Sequence, residues 1–241
     1  MRAEDVHIMR RMLRGDKALD RLLNFSDAVV AVAITVLALP LVDIAGPPEG
    51  QTVLVVLSSH LNQIITFVTT FFVVTVMWSI HNKVMNTLAV YDSVVFWLNA
   101  AWLVGFVILP WPAAMHGGGE DWSFNESVPF DSSGTGVFYW LTLAYISATG
   151  ALMGWYLSRQ TDLLSPEGAL VVAHTHATRA RYRGWVFTLI FVLAALTSYI
   201  FDWLGFYALI LMLPVGRWLR GGPQPPEDSA APAAESDDDK R

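Results

Sequence analysis

The sequence predicts an all-α membrane protein with six transmembrane helices per chain, on three observations. Of its 241 residues, 54% are hydrophobic and only 15% charged, where an ordinary soluble domain carries about a quarter charged residues. The apolar residues gather into runs near the ~20 needed to cross a bilayer as a helix. Counted as six spans, these runs place all 15 Lys and Arg residues on one side of the membrane.

Span one covers residues 20–42, and Pro47-Pro48 then forces a turn. Span two occupies the long segment 52–80. Its first third holds Ser58, Ser59, His60, Asn62 and Gln63, which suit a start outside the hydrocarbon. Spans three and four cover 94–115 and 137–157. Spans five (182–201) and six (203–219) are joined so tightly at Asp202 that they form a helical hairpin. Ser165-Pro166-Glu167 reads as a helix start, with the serine as cap and proline in the first position. Trp102, Trp111, Trp122, Trp185, Trp203 and Trp218 fall near proposed span ends, where amphipathic rings favour the membrane interface.

The basic residues lie in the N-terminal segment 1–19, at Arg21, at Lys83, between Arg159 and Arg183, and from Arg217, at the end of span six, onward. The opposite loops carry acids instead: Asp43 and Glu49, then Glu120, Asp121, Glu126 and Asp131, then Asp202. The positive-inside rule therefore predicts a multi-pass protein of the cell membrane with both termini cytoplasmic. Residues 20–219 form one domain, and the Pro-, Ala- and acid-rich tail 220–241 lacks the apolar residues to fold. The absence of cysteine excludes disulfides, iron–sulfur ligation and thiol catalysis. No G-x-S-x-G, H-E-x-x-H or phosphate-binding loop occurs, so neither an enzyme nor a cofactor is expected. His174 and His176 are two apart and do not share a helix face. No span carries a repeated arginine series, which excludes a voltage sensor.

Span one holds the informative residues. Asp27 sits one turn inside its charged end, and ionisable groups at that depth are costly enough to mark candidate sites. At about 100° per residue, Val32, Thr35, Val36 and Leu39 fall within roughly 100° of arc, and Phe25 extends that stripe. Asp27 and Ser26 point elsewhere. The stripe fits ordinary helix packing as well as a lining face. Asp27 fits a structural network, with Arg21 nearby, and Thr35 can bond back to a carbonyl one turn earlier. On span two, Trp78 and His81 lie at similar depth to Asp27, which makes a hydrogen bond from His81 to Asp27 plausible. On span three, Asp92 and Asn99 are seven apart and share a face, suited to polar contact between helices.

Arg21, Phe25-Ser26-Asp27, Ala31, Thr35 and Leu39-Pro40 together form R-x-x-x-F-S-D followed by A-x-x-x-T-x-x-x-L-P. This pattern resembles the signature of the transmembrane-protein-175 potassium channels, found in endolysosomes and in prokaryotes. Trp78-x-x-His81, Leu98-Asn99 and Leu109-Pro110 follow in matching order. The chain is similar to the prokaryotic form with a single six-span repeat. The resemblance implies a homotetramer in the lipid bilayer, with a central pore lined by four copies of the first helix. It implies an apolar constriction at Val32 and Leu39, a hydroxyl layer at Thr35, and a network of Arg21, Phe25, Ser26 and Asp27 that ties the first helix to its neighbours. Val32 is smaller than the Ile or Leu usual at its position. The implied function is a potassium-favouring cation channel with possible proton leak. Potassium is its permeant ion; no resident metal and no nucleic-acid partner is implied. A secondary transporter or a non-conducting membrane scaffold is the alternative.

Overall fold

The computed structural model describes residues 3–118, 134–174 and 177–200, with side chains placed outside 3–16, 171–183 and 200. In chain order the helices are α1 (Ala3–Leu37), α2 (Leu39–Val42), α3 (Val53–Ser59), α4 (Leu61–Met85), α5 (Ser93–Ile108), α6 (Pro110–Gly117), α7 (Thr135–Leu157), α8 (Pro166–His174) and α9 (Ala177–Ile200). Among the described residues, four stretches are long and apolar enough to cross a membrane: Lys17–Val42, Leu61–Met85, Ser93–Gly117 and Thr135–Leu157. Within α9, Gly184–Tyr199 forms a shorter apolar stretch. The expected sixth span, the acidic tail and the loop acids at 120, 121, 126 and 131 lie outside the described residues.

Several expected boundaries move. Span two begins at Leu61 rather than residue 52, because the chain breaks at His60 and leaves α3 as a separate short helix. It runs on to Met85, past the expected end at residue 80. The first helix reaches back through the expected N-terminal segment, since α1 begins at Ala3. Prolines divide two of the spans. Pro40 follows the α1–α2 break at Ala38, and Pro110 opens α6 directly after α5. A proline lacks the N–H that would continue the ladder and its ring crowds the preceding turn.

Packing follows from helix periodicity. On α1, Leu19, Leu22, Ser26, Val30, Ala33 and Leu37 are buried at three- and four-residue spacing, so one stripe faces the bundle. The main core joins this stripe to Val73, Val74 and Met77 of α4, Trp102 and Phe106 of α5, Tyr139 and Trp140 of α7, and Phe191 of α9. Small residues let the helices approach closely. A Cβ on Gly105 would come within 2.4 Å of Ile146, and one on Gly184 within 2.6 Å of the Ala151 Cβ. Trp102 departs from the expected interfacial position: it is 2% exposed and stacks on His81, with ring centroids 3.7 Å apart. Trp111 and Trp185 do remain exposed.

The loops after α4 and after α7 are clasped together. The Ala89 N–H donates to Leu163 O and the Ser165 N–H to Thr87 O, each at 2.9 Å. Ser165 caps α8 as its sequence predicts, accepting from the Gly168 N–H at 2.9 Å. The approach is close enough that a Cβ on Gly168 would collide with Thr87 O. Leu19 and Leu22 of α1 join this end through a small core with Met85, Leu88, Val95, Met153 and Leu157. Asp92 caps α5 by accepting from the Val95 N–H at 2.8 Å, and the Tyr156 hydroxyl donates to its other oxygen. Desolvation pushes the Asp92 carboxyl up. The Tyr156 hydroxyl and the N–H groups of Val95 and Val94 outweigh it and leave the carboxyl below its ordinary value.

Replacing Asp92 by Ala should cost about 1 kcal/mol, the usual worth of a helix N-cap, read as a lowered melting temperature in detergent. Because this carboxyl titrates lower in the folded chain, its contribution is full above the ordinary value of 3.8 and fades as pH falls through the lower folded value. A deficit equally large in strong acid would contradict the assignment.

Candidate functional site

The first helix has two chemically distinct faces. The inward face is held by polar bonds as well as by apolar packing. The Ser26 hydroxyl donates to Leu22 O one turn back at 2.8 Å, and the Asn99 Nδ2 of α5 donates to the Ser26 oxygen at 2.8 Å. The Trp78 indole N–H of α4 donates to Asp27 Oδ1 at 2.7 Å. α1 is thereby bonded to two neighbouring helices, α4 and α5, within two consecutive residues. Beside Asn99 lies the His81 imidazole, stacked beneath Trp102. Its Nε2 and the Asn99 Oδ1 are both buried without a hydrogen-bond partner. They are complementary, one able to donate and the other to accept, and Asn99 lies close enough to act on the imidazole as a hydrogen-bond partner.

Two sequence expectations change here. Asp27 is met by Trp78, not by His81, because the indole nitrogen reaches it while the imidazole turns to stack on Trp102. A neutral N–H donor also takes the place expected for Arg21, which is exposed. The contact between α1 and α5 through Asn99 agrees with the polar helix contact read from the sequence.

The outward face consists of Phe25, Val32, Thr35, Val36 and Leu39. In the single chain Val32 is 61% exposed and Leu39 56% exposed, and Ala28 and Ala31 lie on the same face. The Thr35 hydroxyl donates to Val32 O at 2.7 Å, as expected for a threonine in an apolar helix. Its oxygen keeps lone pairs free on the exposed face. Leu39 belongs to α2, beyond the break at Ala38, so helical phase from Val32 does not set its direction.

Sequence reasoning missed a second polar cluster at the other end of α4. The Thr70 hydroxyl bonds the Tyr139 hydroxyl at 2.8 Å, Asn62 Nδ2 donates to His116 O at 3.3 Å, and Gln63 Nε2 donates to Pro40 O at 2.8 Å. Thr66, Thr70, Tyr139 and His116 are all buried. The available signal was Asn62, Thr66 and Thr70 at four-residue spacing, one polar ridge running into the apolar part of α4. His60, at the break before α4, bonds locally to Val56 O and Ser59.

The comparisons with known proteins bear on this helix. The family model of the endosomal/lysosomal potassium channel TMEM175 matches residues 21–110, the stretch that holds both faces of α1, Trp78, His81 and Asn99. Over residues 21–110 the chain is similar to the TMEM175 family. A potassium channel of Streptomyces collinus is 28% identical over 218 residues, covering 87% of this chain and 96% of that protein. The TMEM175 endosomal/lysosomal proton channel of Rattus norvegicus is 25% identical over 178 residues, or 73% of this chain. The chain spans only 33% of that relative's length. The crystal structure of a TMEM175 homologue from Chamaesiphon minutus superposes with a TM-score of 0.61 at 20% identity, covering 86% of this chain and all of that one, which shows the shared fold.

The Trp78–Asp27 bond is open to a double-mutant cycle. Trp78→Phe and Asp27→Ala should each destabilise the chain in detergent, and the double variant should lose about 1 kcal/mol less than their sum. Additive losses would show that the two side chains act independently.

Proposed function

We propose that this chain is a subunit of a potassium-favouring cation channel in the cell membrane, with both termini cytoplasmic. Four copies surround a pore lined by α1. Val32 and Leu39 form apolar rings, with Val36 between them, and Thr35 supplies a hydroxyl layer. The observation that carries this reading is the division of α1. Its polar groups are spent inward on Trp78 and Asn99, and its outward stripe is left uncovered on the segment that matches the channel family. The near-full-length likeness to a bacterial potassium channel supports a chain that works as one repeat and needs partner copies to close a ring.

The chemistry is consistent with that role. A ring of apolar side chains can gate by dewetting, and a ring of hydroxyl oxygens replaces part of an ion's hydration shell. The Thr35 hydroxyl hydrogen is engaged by Val32 O, which turns oxygen lone pairs rather than a proton toward the exposed side. Val32, Thr35, Val36 and Leu39 put no fixed charge on this face. The small Val32 suits a pore that closes loosely and leaks protons, and the animal relatives are named as proton channels. Arg21, Phe25, Ser26, Asp27, Trp78, His81 and Asn99 orient the helix and do not contact the ion.

Purified protein reconstituted in planar bilayers should pass unitary potassium currents. Val32→Asn should increase them several-fold by wetting the constriction, and Thr35→Val should lower the preference for potassium over sodium while keeping conduction. Unchanged conduction and selectivity in both variants would place this face against lipid instead.

A further inference from the structure

The outer end of the first helix is not held by the helix itself. Pro40 has no N–H to give to Val36 O, and the chain tightens into three-residue turns, with Ala38 N–H on Thr35 O at 3.2 Å and Leu41 N–H on Ala38 O at 3.0 Å. The resulting four-residue α2 buries none of its residues and has no side-chain cap. Its last turn does not serve Pro40 O either. The Ile44 N–H, which would reach that carbonyl in a continuing helix, bonds Leu41 O instead. Below this turn a small gap of about 10 Å³ lies among Leu37, Pro40, Thr66, Phe67 and Ala113. Leu39 itself is exposed, so its own side chain adds little packing to fix where it stands.

One side chain crosses to it. Gln63 Nε2 donates to Pro40 O at 2.8 Å from the first turn of α4. The base of that side chain is firmly placed. Gly117 of α6 packs so closely on it that a Cβ there would come within 3.2 Å of Gln63 Cα. Asn62 donates to His116 O beside it. A rigid α4–α6 platform thus holds a loose turn through one amide.

We propose that Gln63 is a positioning residue that sets the place of Leu39, and so the width of the outer constriction, by holding Pro40 O. The proposal rests on the reading of α1 as the pore helix. The tether's release frees the Leu39 turn to swing about the break at Ala38, and the open and closed populations of the outer ring shift with it.

The test uses single-channel recording of the purified full chain at symmetric bath pH of about 8 and about 3.5, the lower lying below the ordinary glutamate value of about 4.3, each variant normalised to the wild type at the same pH. Gln63→Glu keeps the shape but, when ionised, cannot donate and repels the carbonyl; when protonated it donates again. The expected result is about a fivefold change in open probability or unitary conductance for Gln63→Glu at the higher pH, with recovery at the lower. Gln63→Leu should be altered at both. Because the Glu comparison is made on one folded sample, a variant that merely misfolds would not recover. If Gln63→Glu matches the wild type at both pH values while Leu39→Asn changes conduction, the tether is wrong and the pore reading stands. If Leu39→Asn also changes nothing, the outer constriction fails, and the proposal with it.

Discussion

Everything in this structure depends on how one helix disposes of its polar groups. α1 carries Ser26 and Asp27 side by side within an otherwise apolar run, and neither can be left against hydrocarbon without cost. Asn99 and Trp78 meet them from two different helices. Two bonds in different directions fix both the position of α1 and its rotation about its own axis, which packing of Val and Leu alone would leave loosely specified. Once that rotation is set, the opposite face is left exposed among the described residues. The bareness of Val32, Thr35 and Val36 is thus a consequence of where the polar residues went.

The rest of the bundle makes that orientation rigid. Gly105 against Ile146 and Gly184 against Ala151 bring α5, α7 and α9 into close contact, so the helix bearing Asn99 is backed by a tight layer. The His81–Trp102 stack sits directly behind the anchor. At the far end from α2, the loop clasp through Thr87, Ala89, Leu163 and Ser165 closes over the small core that holds Leu19 and Leu22. α1 is accordingly firm at one end and along its middle, while beyond Ala38 the side-chain hydrogen bond that reaches it among the described residues comes from Gln63.

Much of this was legible in the sequence, because helix periodicity and hydropathy are local signals. The phase of α1 placed Asp27 off the stripe of Val32, Thr35 and Val36, and the structure has the same division. Ser165 announced its own cap. The partners were harder to read. Trp78 and His81 are one turn apart at similar depth, and only the placement of Trp102 decides that the imidazole stacks while the indole reaches Asp27. Trp102 looked interfacial from its place in the span, yet the tight α5–α7 approach buries it. Leu39 shared the helical phase of Val32 on paper, but Pro40 broke the helix between them. The role of Gln63 had no local signal at all, since the carbonyl it holds becomes available only because of that break.

The chain contains no cysteine, so a single introduced thiol is an unambiguous probe of which face of α1 meets water. Cysteines placed one at a time at Val30, Val32, Ala33, Thr35 and Val36, and exposed to a charged thiol-specific reagent during recording, test the division of this helix directly. The account predicts rapid block of current from positions 32, 35 and 36, and none from the buried positions 30 and 33. Block from 30 or 33, or no block from 32, 35 and 36, would contradict it.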